Sequence, residues 1–110
     1  INSVLSPGVR VGKGSIIKDS VILNNVIVST NVTVDKCIID KKVTIGRNAY
    51  LGFGDDFTPN VEKPDLLSSG ITVVEKRTII PGFTKIGRNC RIFKTASFDK
   101  NDVKSGSTLQ

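Results

Sequence analysis

Cys37 and Cys90 are the two thiols of this chain, Asp55 and Asp56 its one pair of adjacent carboxylates, and histidine is absent. Each fact restricts the chemistry. Without an imidazole there is no Ser–His or Cys–His nucleophile pair, no histidine general base and no His-liganded zinc. Two cysteines far apart in the chain make a poor metal site and no disulfide framework; they read as reduced thiols in a cytosolic protein. Asp55 and Asp56 could meet a cation, but they read more simply as a solvated acidic loop. No glycine-rich phosphate loop follows a strand. The chain by itself is expected to be catalytically inert, with no cofactor and no metal.

What remains is positive charge. Sixteen Lys and Arg stand against ten Asp and Glu, a net charge of +6. A nucleic-acid surface would gather basic residues into a patch with stacking aromatics. Here they are spread along the chain and do not interleave with the five Phe and one Tyr. Small anions are the expected partners, not a duplex. No apolar run approaches the roughly 20 residues that cross a bilayer, so no membrane partner is expected. The first residues have no basic or apolar signal region. They lack Met and enter mid-pattern, so the chain is expected to be part of a longer one, located in the cytoplasm.

The elements that must position these side chains follow from a repeat. "SVLSPGVRVGKGSIIKD" from Ser3, "SVILNNVIVSTNVTVDK" from Ser20 and "CIIDKKVTIGRNAYLGF" from Cys37 fall into register on a period of about 17. Val9, Val26 and Val43 share a column, as do Val11, Val28 and Ile45, and Ile17, Val34 and Leu51. Inward candidates come in pairs two residues apart, the same face of a short strand. Turns rich in Gly, Asn, Asp and Lys separate the pairs, and Gly and Asn tolerate the positive φ of tight corners. The pattern predicts an all-β solenoid of triangular coils, each bonded to the next about 4.8 Å above. A helix is excluded by the alternation and the frequent breakers. An antiparallel sandwich would not require matching columns.

The phrase Ile-Gly-Arg-Asn occurs at 45–48 and 86–89, and is expected to mark the same corner of two coils. Cys37, in the column of Ser3 and Ser20, and Cys90, matched with Ala49, then read as small packing residues. The coils should cover 3–53 and 70–104, with an excursion at 54–69 marked by Pro59, Pro64 and several acids. Ile71 with Val73, Thr78 with Ile80, Thr84 with Ile86 and Cys90 with Ile92 are the expected inward pairs after it. A last partial coil through Phe98 and Val103 should then fray. The open end at Ile1–Val9 should stack on something else.

The six-residue beat resembles the hexapeptide-repeat left-handed β-helix, and the left hand is implied by that resemblance alone. "SVLSPGVRVGKGSIIKDSVIL", "IIDKKVTIG", the excursion and "GITVVEKRTIIPGFTKIG", in that order, are similar to the C-terminal β-helix domain of bacterial ADP-glucose pyrophosphorylases (glucose-1-phosphate adenylyltransferases). The resemblance implies a regulatory and oligomerisation domain. Its parent would make ADP-glucose and pyrophosphate from ATP and glucose 1-phosphate, for glycogen synthesis, on a separate N-terminal nucleotidyltransferase domain that uses Mg²⁺. It implies docking on that domain, a homotetramer and a phosphorylated metabolite effector. Lys41 of "IIDK" and Lys76, before "IIPG", match effector-site lysines of the family. They would act as point charges on phosphate. Lys76 sits in "EKR", where Glu75 or Arg77 could instead be the residue that faces the ligand. Arg47 and Arg88, expected on stacked corners, are further anion candidates. The alternatives are the solenoid of another sugar-nucleotide pyrophosphorylase, a free-standing acyltransferase-like solenoid without the usual histidine, and a purely structural solenoid.

Overall fold

The computed structural model describes residues 3–94, 96, 98 and 102–110. Its strands are two or three residues long, all pairing is parallel, and no helix occurs among the described residues. They build three faces. The first is a six-stranded sheet of β1 (Val4–Leu5), β4 (Val21–Ile22), β7 (Cys37–Ile39), β10 (Thr72–Val74), β13 (Arg91–Ile92) and β15 (Thr108–Leu109). The second stacks β2 (Arg10–Val11), β5 (Ile27–Val28), β8 (Thr44–Ile45) and β11 (Ile79–Ile80). The third stacks β3 (Ile16–Lys18), β6 (Thr33–Asp35), β9 (Tyr50–Leu51), β12 (Lys85–Ile86) and β14 (Asp102–Val103). From β1 to β13 each strand leads to the next face, and each face gains a strand once per coil. This is a parallel β-solenoid, in agreement with the expected left-handed β-helix.

The columns read from the repeat line the interior. Val26, Val28, Val32, Val34, Val43, Ile45, Ala49 and Leu51 are all at most 2% exposed. Their counterparts in the first coil are not: Val11 keeps 42% of its surface, because a neighbouring coil covers it on one side only. Small polar residues fill a first-face column. Ser20 Oγ accepts the Cys37 N–H at 3.0 Å, and Thr72 Oγ1 accepts that of Cys90 at 3.2 Å. Both cysteines are buried and free, in the packing role expected. Burial pushes the Cys37 thiol up to about 12 and raises that of Cys90 as well.

Corners turn through one residue of positive φ. Asn25, Asn31, Asn48 and Asn89 supply it at 58–60°, but so do Lys42, Arg77 and Phe83. These last three pay the side-chain crowding of the left-handed region that Gly and Asn avoid.

Three expectations need correction. Ile45 lies beside Ile80 on the second face, whereas Ile86 lies beside Leu51 on the third. The two Ile-Gly-Arg-Asn stretches therefore mark successive corners, not the same corner, and Cys90 falls beside Thr72 in the column of Cys37, whereas Ala49 lies beside Thr84. The phrase recurs because any corner can use it: a side chain on Gly46 or Gly87 would strike the backbone of the next coil, and Asn48 and Asn89 both turn at 59°. Second, the inward pair after the excursion is Thr72 and Val74, not Ile71 and Val73. A threonine can face inward because its hydroxyl is satisfied: Thr72 Oγ1 donates to the Gly87 carbonyl at 2.7 Å. Third, the chain does not fray after Val103, since β15 pairs with β13.

Candidate functional site

The register of the second face decides which basic residues meet. Thr44 pairs with Ile79, so the corner preceding β8 stacks on the corner preceding β11. That places Lys41 under Lys76 and Lys42 under Arg77, and the Arg77 N–H donates to the Lys41 carbonyl at 2.9 Å. The pairing of Val74 with Ile92 continues the column to Lys94. All five basic residues are exposed. Adjacent strands of a sheet lie about 4.8 Å apart, so the edge carries charges at that interval.

The acids beside this edge are engaged. Asp40 Oδ1 accepts the Lys41 backbone N–H at 2.7 Å. Glu75 pairs with Arg91 at 3.3 Å. Among the described residues the ion pairs are that one and Arg88–Asp35, so neither Lys41 nor Lys76 is neutralised by a carboxylate there. The stack can act as an electrostatic cradle for a multiply charged anion. Lys42 and Lys94 escaped the sequence reading, and Arg77 entered it only as an alternative to Lys76. The interval between Val43 and Thr78, counted across the excursion, would have set Lys42 beside Arg77.

Arg47 and Arg88 stand apart from this edge and from each other. Arg47 is exposed on the corner between the second and third faces, with its guanidinium 5.6 Å from the Phe83 ring centre. Arg88 sits on the corner between the third and first faces and is 9% exposed. Its Nη2 donates to Asp35 Oδ2 at 3.1 Å and its Nε to the Gly54 carbonyl at 2.6 Å. Arg88 is a structural clamp, and the expectation of stacked arginine corners fails with the register that carried it.

Asp55 and Asp56 line an open cavity of about 440 Å³ with Phe53, Lys85, Asp102 and Lys104. Asp56 Oδ1 accepts both the hydroxyl and the N–H of Thr58, at 2.6 and 3.1 Å, and these bonds hold its carboxyl below the usual range. Asp56 works as a loop staple. Among the described residues no three His, Cys, Asp or Glu converge on one point.

Residues 1–74 match the model of the GlmU-like, C-terminal hexapeptide family. The chain belongs to that family. This hexapeptide-repeat chain is 45% identical over 95 residues to the glucose-1-phosphate adenylyltransferase of Thermomicrobium roseum, covering 84% of the chain and 22% of that enzyme. It is 42% identical over 88 residues to the enzyme of the same name from Acetivibrio thermocellus, covering 80% and 20%. The chain thus spans about a fifth of the length of these relatives. A solved structure, the acetyltransferase domain of PglB from Neisseria gonorrhoeae FA1090, matches with a TM-score of 0.40 and 15% identity, over 97% of this chain and 50% of that one. No helix among the described residues is long and apolar enough to cross a membrane.

Proposed function

We propose that this chain is the regulatory and assembly domain of a cytoplasmic glucose-1-phosphate adenylyltransferase, an enzyme that joins ATP and glucose 1-phosphate to give ADP-glucose and pyrophosphate for glycogen synthesis. The similarity to two enzymes of that name, over at least four-fifths of this chain, is the observation that carries the reading. Catalysis and its Mg²⁺ belong to an N-terminal nucleotidyltransferase domain that this chain does not supply. The chain's own part is physical. Its first coil leaves Val4, Leu5 and Val11 exposed for docking on that domain. Its faces give flat surfaces for assembly into a homotetramer.

The stack of Lys41 and Lys76 is the effector site in this reading, and Lys42, Arg77 and Lys94 extend it. A phosphorylated metabolite with two phosphate groups spaced along the edge would meet a charge from each of two coils. Lysine supplies point charges there and leaves the orientation of the anion to the rest of the ligand. Arg47 takes no part in this site.

Isothermal titration of the protein with fructose 1,6-bisphosphate tests the site. Binding is expected in the native chain, with weakening in both Lys41→Ala and Lys76→Ala and a loss of affinity as salt rises. No anion-dependent heat in the native protein would remove the site. The reading frame upstream of Ile1 tests the parent enzyme. A glycine-rich nucleotidyltransferase domain is expected there, and a start codon with nothing before it would overturn the reading.

A further inference from the structure

Residues 53–70 are held to the solenoid by forces unlike those that hold the coils together. The buried apolar cluster of the coils contains no residue between Leu51 and Val74. Within 53–70 the one buried apolar side chain is Leu67. The segment is instead tied by polar groups. Asn89 Nδ2 donates to the carbonyls of Phe57 and Thr58 at 3.1 and 3.2 Å, and its Oδ1 accepts the Gly70 N–H at 2.8 Å. From the segment's side, Asn60 Nδ2 donates to the carbonyls of Asn89 and Ser107 at 3.0 and 3.2 Å. Arg88, steadied by Asp35, clamps the Gly54 carbonyl and lies 4.8 Å from the centre of the Phe57 ring.

Two further features set this segment apart. It leaves and rejoins the coils through residues of positive φ, Gly52 at 84°, Gly54 at 85° and Gly70 at 95°. Glycine turns through that region without steric cost, so both ends can swing. The closed arrangement also carries a penalty. Arg88 Nη1 is buried and has no hydrogen-bond partner among the described residues. An unsatisfied buried donor disfavours the state that buries it.

We propose that residues 53–70 form a strap that opens as one unit, hinged at Gly52–Gly54 and at Gly70, while the solenoid stays folded. Arg88, Asn89 and Asn60 are its latch. Water can replace each polar anchor in turn, and little apolar surface is exposed when they let go, which is the signature of a low-energy opening. Opening has a consequence on the first face. The strap's Lys63, Leu66 and Leu67 overhang Val73, Glu75 and Arg91 across a groove of about 220 Å³. Val4, Val21 and Ile38 already stand exposed further along the same sheet. Release of the strap would extend that row through Val73 to Arg91, so the strap governs how much of this face is open.

Amide hydrogen exchange, followed residue by residue, tests the proposal. The N–H groups of Asn60, Val61 and Leu67, which donate to backbone carbonyls in the strap or the last coil, report its opening. Those of Thr44, Gly46 and Tyr50, bonded from coil to coil, report the solenoid. The strap amides should exchange at least tenfold faster than the coil amides and show one common protection factor. Asn60→Ala should raise strap exchange about fivefold further, with the coil amides still at least tenfold slower than the strap amides. Arg88→Gln should do the same and supplies the second variant. Strap amides that exchange at the coil rate in the native protein would overturn the proposal. So would strap protection factors spread over more than tenfold, or variants that leave strap exchange unchanged.

Discussion

The two coils from Val21 to Leu51 and the strap from 53 to 70 solve the same problem of holding a chain against a solenoid, with opposite means. The coils point their branched aliphatic residues inward at every second position and let their backbone bond to coils on both sides. Ile22, Val34, Ile39, Ile45 and Leu51 are wholly buried as a result. The strap buries Leu67 and otherwise relies on asparagine side chains that imitate backbone partners. Apolar stacking is worth roughly 1.5–3 kcal/mol per side chain and cannot be handed over to water. A hydrogen bond nets only about 0.5–1.5 kcal/mol, because water offers one in exchange. Permanence therefore belongs to the coils and reversibility to the strap.

The sharpest break of this contrast is a cavity in a coil. Ile45→Ala should cost about 2–5 kcal/mol, read as a fall in the denaturation midpoint, because Ile45 is sealed between Val28 and Ile80 in adjacent coils. A loss under 1 kcal/mol would mean that the interior is loosely packed. Gly52 stands at the junction of the two regions. A side chain there would strike the Asp35 carbonyl and also sit at a φ of 84°. Gly52→Ala should cost about 1–3 kcal/mol, with the damage shared by the coil and the strap's hinge.

Cys37 sharpens the coil side through pH. The unfolded thiol ionises near 9.0 and the buried one near about 12. Ionisation is therefore easier in the unfolded chain. Stability is complete below pH 9 and drains away as pH rises toward 12, at no more than about 1.4 kcal/mol per pH unit from this group. Cys37→Ser should flatten that part of the alkaline profile, since Ser already fills the same column at Ser20. An unchanged slope between the two proteins would show that the thiol is not sealed. The smallest expected effect is on the strap: Asn60→Ala should lower global stability by about 1 kcal/mol, the cost of a lost hydrogen-bonded anchor. A loss as large as that of Ile45→Ala would erase the distinction between the two regions.

The interior was legible because period and alternation are statements about apolar residues, and Val, Ile and Leu make them plainly in the first three coils. It became illegible where a threonine took an inward place. Ile71 and Val73 look more apolar than Thr72, and only the hydroxyl's bond to the Gly87 carbonyl makes Thr72 an interior residue. The excursion did the second damage. It separates Thr44 from its partner Ile79 by an interval that is not a multiple of the repeat, so the matching Ile-Gly-Arg-Asn phrases suggested a false alignment. That alignment stacked Arg47 on Arg88, whereas the actual one stacks Lys41 on Lys76. The lysines were identifiable only through a resemblance, and the burial of Arg88 beside Asp35 had no local signal at all, since the two are 53 residues apart.

The register across the excursion is thus the claim on which the basic edge, the core and the strap's anchorage all depend. Backbone nuclear Overhauser contacts measure it most directly. Cross-coil contacts are predicted between Thr44 and Ile79 and between Tyr50 and Lys85, the arrangement that sets Lys41 beside Lys76. Contacts that pair Thr44 with Lys85 instead would align the two Ile-Gly-Arg-Asn corners, dissolve the lysine stack and contradict the account.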